Sequence, residues 1–128
     1  MTQPCSFVIP GDPVVKGRPR FTRQGRAYTP KSTSDAEKRI KDIAADVFQG
    51  DPFTEPVGIE LVFYCKTKRR SDGDNLVKLV LDALNEVAYT DDYLVEEWRV
   101  RIYRRLDNEE PRTEVSIYSL DSTYGEGF

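Results

Sequence analysis

Apolar residues recur along the chain at two different periods, and the change from one to the other marks its elements. Val57, Ile59, Leu61, Phe63 and Cys65 point one way, while Glu60, Tyr64 and Lys66 point the other with Val62 among them. That period of two predicts a half-buried strand over 57–66. Trp98, Val100 and Ile102 alternate with Arg99, Arg101 and Tyr103, which predicts a long strand over 94–105 with Trp98 in the core. Shorter runs predict strands over 6–9 and 113–118. In two other stretches the period is helical. Ala36, Ile40, Ile43, Ala44, Val47 and Phe48 form one stripe of a helix over 34–49. Ser34 with Glu37 reads as its capping box, and Gly50-Asp51-Pro52 as its stop. Leu76, Leu79, Val80, Ala83, Leu84 and Val87 form the core stripe of a second helix over 74–88, with Asp74 as N-cap. Asp74, Lys78, Asp82 and Asn85 share its opposite side. Arg18–Phe21 and Arg26–Tyr28, around Gln24-Gly25, read as a small hairpin. The order strand, loop, helix, strand, helix, strand, strand implies an α+β fold: one mixed sheet of about four strands with two main helices packed on it.

A chain of 128 residues holds one such domain. It is placed at 1–120, with 121–128 expected to be a frayed acidic tail. The longest apolar run, Leu61 to Cys65, is far too short to span a bilayer. No signal peptide is legible at the N-terminus, so a cytoplasmic protein is expected. Histidine is absent, which excludes imidazole bases, Ser-His-Asp triads and His-ligated zinc. The two cysteines, Cys5 and Cys65, sit in apolar stretches and read as buried thiols in a reducing compartment. Any metal must therefore be held by carboxylates, a donor set that selects Mg²⁺, Mn²⁺ or Ca²⁺.

Two acidic clusters carry the candidate chemistry. Asp72-Gly73-Asp74 places two carboxylates at the mouth of the second helix, and Asp91-Asp92 follows one helix later. Two such charges about 5 Å apart repel by roughly 3 kcal/mol at an effective dielectric near 20, and a divalent cation between them converts that repulsion into binding. Lys78, one turn after Asp74, is placed to neutralise charge on a phosphate. On spacing alone the plainer alternatives stay open. Asp74 is equally a helix cap, Asp72-Gly73 a turn and Asp91-Asp92 a solvated loop or a cap. Lys78 with Asp82 is equally a surface pair.

Taken in order, Asp72-Gly-Asp74-Asn75-Leu-Val-Lys78, then Asp82-Ala-Leu-Asn85, then Asp91-Asp92 resembles the signature of the RusA family of Holliday-junction resolvases. The run Ile9-Pro-Gly-Asp-Pro-Val-Val-Lys16-Gly-Arg18-Pro-Arg20, with Tyr28-Thr-Pro30 after it, resembles the phage and prophage branch. The likeness extends over roughly 7–118. It implies a small homodimeric endonuclease, dependent on Mg²⁺ with Mn²⁺ able to substitute and without an organic cofactor. Its partner would be branched DNA, cut at four-way junctions by paired incisions. Residue by residue, Asp72, Asp74 and Asp92 match essential acidic positions, Lys78 matches the essential lysine, and Asp91 matches an acidic neighbour. Asn75, Asp82 and Asn85 match recurrent positions.

The net charge of −3 is unusual for a DNA-binding nuclease. Its distribution is less so. Lys16, Arg18, Arg20, Arg23, Arg26 and Lys31 fall in a stretch with no acidic residue and are expected on DNA phosphates. Arg69 and Arg70, beside Asp72, are expected on the scissile strand. Phe21 and Tyr28 read either as a stack for bases or, the favoured reading, as minor core. The competing classes are a branched-DNA binding module that does not cut, and a metal-dependent nuclease of broader substrate range.

Overall fold

The strands and helices expected from the periodicity are present in the computed structural model of the protein, which describes residues 5–17, 20–28, 30–66, 73–104 and 110–120. In chain order they are β1 (Cys5–Pro10), β2 (Arg20–Phe21), β3 (Ala27–Tyr28), α1 (Lys31–Phe48), β4 (Val57–Tyr64), α2 (Gly73–Leu84), a 3-10 turn (Asp92–Leu94), β5 (Val95–Tyr103) and β6 (Arg112–Ser119). The main sheet has four strands in the order β1-β6-β4-β5, and β2 and β3 form a separate hairpin. β6 runs antiparallel to both β1 and β4, whereas β4 and β5 are parallel. The protein is a small α+β domain with a mixed sheet, as the pattern implied.

A parallel pair needs a crossover, and α2 is that crossover. It leaves the top of β4 and returns the chain to the bottom of β5. α1 packs beside α2 on the same face of the sheet. The core between them is built from the inward side of each strand. Ile59, Leu61 and Phe63 of β4 meet Val115 and Ile117 of β6, with Leu76, Leu79, Val80 and Leu84 of α2 and Ile40 and Ala44 of α1 above them. Phe48 closes one end through edge contacts with Phe7 and Phe53, ring centres 6.3 and 6.1 Å away.

The opposite face of the sheet is polar and stitched to itself. Tyr64 stacks on Tyr103 at 5.0 Å, and the Arg112 guanidinium lies 3.7 Å from the Tyr64 ring centre. Tyr118 donates to Glu97 at 3.0 Å. Its ring lies against Gly58, where an added Cβ would clash with it.

The structure corrects several local expectations. α1 starts at Lys31 behind Pro30, whose φ of −55° suits the helix entry and which makes no side-chain cap. Ser34 therefore lies inside the first turn and the Ser34–Glu37 capping box does not form. Instead the Pro30 carbonyl accepts from the Thr33 and Ser34 amides. α2 stops at Leu84, four residues short of the expected end, because Asn85 bridges to Tyr89 and Glu86 takes a positive φ of 68°. Asp74 is the second residue of α2 and not its N-cap. Trp98 is not in the core: it is 57% exposed. It does stand on the helix side of the sheet, as its alternation implies, paired with Ile59. Periodicity assigns a face and not a cover, and β5 is the edge strand. Cys65 is buried and Cys5 half-buried, both as free thiols. No helix among the described residues is long and apolar enough to cross a membrane.

Gly58→Ala is expected to lower stability by about 1–3 kcal/mol in urea unfolding, because the new methyl must displace the Tyr118 ring. An unchanged midpoint would contradict that packing.

Candidate active site

The solvent-facing side of α2 is narrow. Leu76, Val77, Leu79, Val80, Leu81, Ala83 and Leu84 are all buried. Asp74 and Lys78 are exposed, while Asn75 and Asp82 are half-buried. Asp74, Lys78 and Asp82 are thus successive steps of one stripe, each about one 5.4 Å turn from the next.

The crossover brings the chain back beside this stripe at the 3-10 turn. Asp91 caps that turn, its side chain accepting from the Tyr93 amide at 3.3 Å. This is the plainer of the two roles its spacing allowed. Asp92 follows and faces the stripe. Its carboxyl is pushed above the ordinary aspartate range, first by partial desolvation, then by a hydrogen bond and negative charge from Asp91 and by the charge of Asp82. Lys78 pulls it back. Three acids and one lysine from two segments therefore share one electrostatic neighbourhood. Tyr89 lies beneath it, fully buried, its hydroxyl donating to the Leu81 carbonyl at 2.7 Å. Burial and the charges of Asp92 and Asp82 push that phenol far above its ordinary range. Nothing in the sequence singled out Tyr89, since a lone tyrosine before an acidic pair carries no periodic signal.

Lys16 departs from its expected role. Its ammonium is hydrogen-bonded to Asp82 and lies 3.4 Å from Glu37 of α1. Only 27% of its side chain is exposed. Its amide donates to the Asn75 carbonyl at 3.1 Å, and the next amide, of Gly17, donates to Thr33 Oγ1 at 3.0 Å. Lys16 is engaged inside the protein, where it ties the loop after β1 to both helices, and its charge is not free for DNA. Asp82 is likewise paired with Lys16, not with Lys78 as its spacing suggested.

The remaining basic positions fall into two groups. Arg23, Arg26 and Lys31 are exposed on and just after the hairpin, whose turn is closed by Thr22–Arg26 and Gly25–Thr22 backbone hydrogen bonds. Arg20 lies in β2 and faces Tyr28 in register. Phe21 and Tyr28 are 69% and 47% exposed, so the core reading fails for both and their rings are open to solvent. Arg18, Arg69, Arg70 and Asp72 lie outside the described residues.

A family model, endodeoxyribonuclease RusA, matches residues 10–118. The chain belongs to the RusA family. It is also 30% identical to YqaN of Bacillus subtilis strain 168, an uncharacterized protein, over 140 aligned positions that cover 91% of this chain and 96% of that one. As a RusA-family chain it has the general capacity of an endodeoxyribonuclease.

Whether this site suits a divalent cation depends on its donors and their spacing. Among the described residues no group of three or more His, Cys, Asp or Glu side chains converges closely enough to hold one alone. The chemistry of the donors nonetheless fits. They are oxygen donors only, and Asp92 is destabilised as an anion first by desolvation and then by Asp91, the neighbour that would share a cation with it, and by Asp82.

Without divalent cations, NMR titration of the Asp92 carboxyl should give a midpoint above the ordinary 3.8. Asp91→Asn should lower the midpoint and Lys78→Met should raise it further. Because the folded form holds this proton more tightly than the unfolded chain, ionisation of Asp92 costs the metal-free fold stability as pH rises from 3.8 through the shifted value. A midpoint at or below 3.8 would contradict the crowding.

Proposed function

We propose that the protein is a Mg²⁺-dependent endonuclease that resolves four-way DNA junctions by paired phosphodiester hydrolysis, as a homodimer carrying one site per subunit. The observation that carries this reading is the Asp91-Asp92 pair set against the Lys78–Asp82 stretch of α2, in a chain of the RusA family.

The protein's own residues divide the work. Asp74 and Asp92, with Asp91 and with Asp72 just before α2, would hold the cation. When bound, the cation supplies Lewis-acid polarisation of the scissile phosphate. Lys78 is exposed on the same stripe, so its ammonium can meet a phosphate without leaving the helix and offset charge that develops there. The Lys16–Asp82 pair keeps Asp82 from competing for Lys78. Arg23, Arg26 and Lys31 would bind backbone phosphates further out, with Arg18, Arg20, Arg69 and Arg70 as further contacts. The open rings of Phe21 and Tyr28 give the hairpin a surface on which unpaired bases at a junction centre can stack. A two-fold dimer presents two sites, which is what symmetric incision of a four-way junction requires.

Purified protein should make paired nicks in a synthetic four-way junction with Mg²⁺, and none with EDTA. Matched linear duplex and matched RNA should be spared. Asp74→Asn and Lys78→Met should each reduce cutting roughly 10²-fold or more while leaving junction binding in place. Tight binding without cutting under any divalent metal would instead make the protein a junction-binding module. Equal cutting of all three substrates would make it a nuclease of broader range.

A further inference from the structure

Lysine side chains usually stand out in solvent, and that of Lys16 does not. Its Nζ is hydrogen-bonded to Asp82 of α2 and lies 3.4 Å from Glu37 of α1, and all three side chains are only 27–28% exposed. The base of the side chain is held as well. The Lys16 amide donates to the Asn75 carbonyl, and the Gly17 amide to the buried Thr33. The ammonium is therefore delivered from a fixed backbone to the point where carboxylates of two different helices converge.

That point requires a cation. Two partly buried carboxylates brought together repel each other unless a positive charge stands between them. Glu37 Oε1 is shielded from solvent and makes no well-formed hydrogen bond among the described residues, so it relies on the Lys16 charge. Asp82 also faces the candidate site. Desolvation first, and then the charges of Asp91 and Asp82, disfavour the Asp92 anion, so Asp82 touches Lys16 and is felt by Asp92. Carboxylate oxygens such as those of Asp82 and Glu37 are the donors that Mg²⁺ and Mn²⁺ select. Phosphodiester sites with two metal ions set them about 4 Å apart, and a niche next to Asp92 is where a second ion would be sought.

We propose that Lys16 stands in for a second divalent cation: its ammonium fills the acidic niche between Asp82 and Glu37, so the candidate site takes one divalent cation and not two. The proposal rests on the cation-binding reading of Asp92 given above. A tethered ammonium competes for the niche at a high effective concentration and is not removed by a chelator. It brings one charge where a divalent ion brings two, and its N–H donors are engaged by the two acids. It therefore joins α1 to α2 without the Lewis acidity of a metal ion. Further positive charge for a phosphate comes instead from Lys78, exposed one turn before Asp82. The Asp82 hydrogen bond, partly offset by burial, raises the affinity of Lys16 for its proton, so the niche stays filled well above neutral pH.

Mn²⁺ binding to the metal-free protein tests this, with free Mn²⁺ counted by electron paramagnetic resonance and the fold checked by far-UV circular dichroism. Wild type should bind one ion per chain. Lys16→Met keeps the apolar stem and removes the charge, and should bind two. Lys16→Arg and Lys16→Met/Asp82→Asn should each bind one. If Lys16→Met is unfolded in EDTA, excess Mn²⁺ should refold it, and failure to do so would overturn the proposal. Two ions on wild type would also overturn it, as would a folded Lys16→Met that binds no more ions than wild type. If wild type binds none and Lys16→Met binds one, Lys16 fills the niche as proposed and the Asp92 cation reading falls.

Discussion

The parallel pairing of β4 with β5 is the constraint on which the candidate site depends. Two parallel neighbours cannot be joined by a tight turn, so the chain must climb back over the sheet, and α2 is the path it takes. The path has one buried side and one open side. The buried side supplies much of the core, and the open side is left with Asp74, Lys78 and Asp82. The descent ends in the Asp91-capped turn that sets Asp92 against that stripe. The acidic cluster is thus a consequence of topology: residues some ten to twenty positions apart meet because the crossover has one length and one direction.

The second organising interaction is the ion pair of Lys16 with Asp82, supported by Glu37. It joins the loop after β1 to α1 and α2 at one point, and the Lys16 and Gly17 backbone amides add two further ties. The basic hairpin leaves from this anchor. Lys16 is held inward by these ties, whereas Arg23 and Arg26 of the hairpin and Lys31 at the start of α1 are exposed. A single basic stretch in the sequence divides into one cation that holds the fold and several that remain exposed for a polyanion. The acidic total charge is compatible with that use, because Asp82 and Glu37 are partly neutralised internally while the hairpin is not.

Much of the fold was legible because it follows from alternation alone. The period of two in Val57–Tyr64 and the period of 3.6 in the α2 segment were read correctly as elements, and the acid-lysine stripe follows from helical spacing. What was not legible depends on neighbours distant in the chain. Trp98 looks like a core residue by pattern, and only the sheet order shows that nothing stands over it. The Ser34–Glu37 spacing suits a cap, but Pro30 had already started the helix. Phe21 and Tyr28 look like core by type and project into solvent on a two-stranded hairpin. Lys16 reads as one more basic residue until Asp82, 66 positions away, is seen to hold it. The roles of Asp72, Arg69 and Arg70 rest on the sequence, because they lie outside the described residues.

The central claim is that the α2 stripe and the Asp91-Asp92 turn form one cation site. Mn²⁺ titration followed by amide NMR tests it without any DNA. Paramagnetic broadening should begin at the amides of Asp74, Asn75, Asp91 and Asp92 at low Mn²⁺, with an excess of Mg²⁺ reversing it, and Asp74→Asn should weaken it. Broadening that starts instead in the acidic stretch 107–110, or that is spread evenly over the surface, would contradict the account.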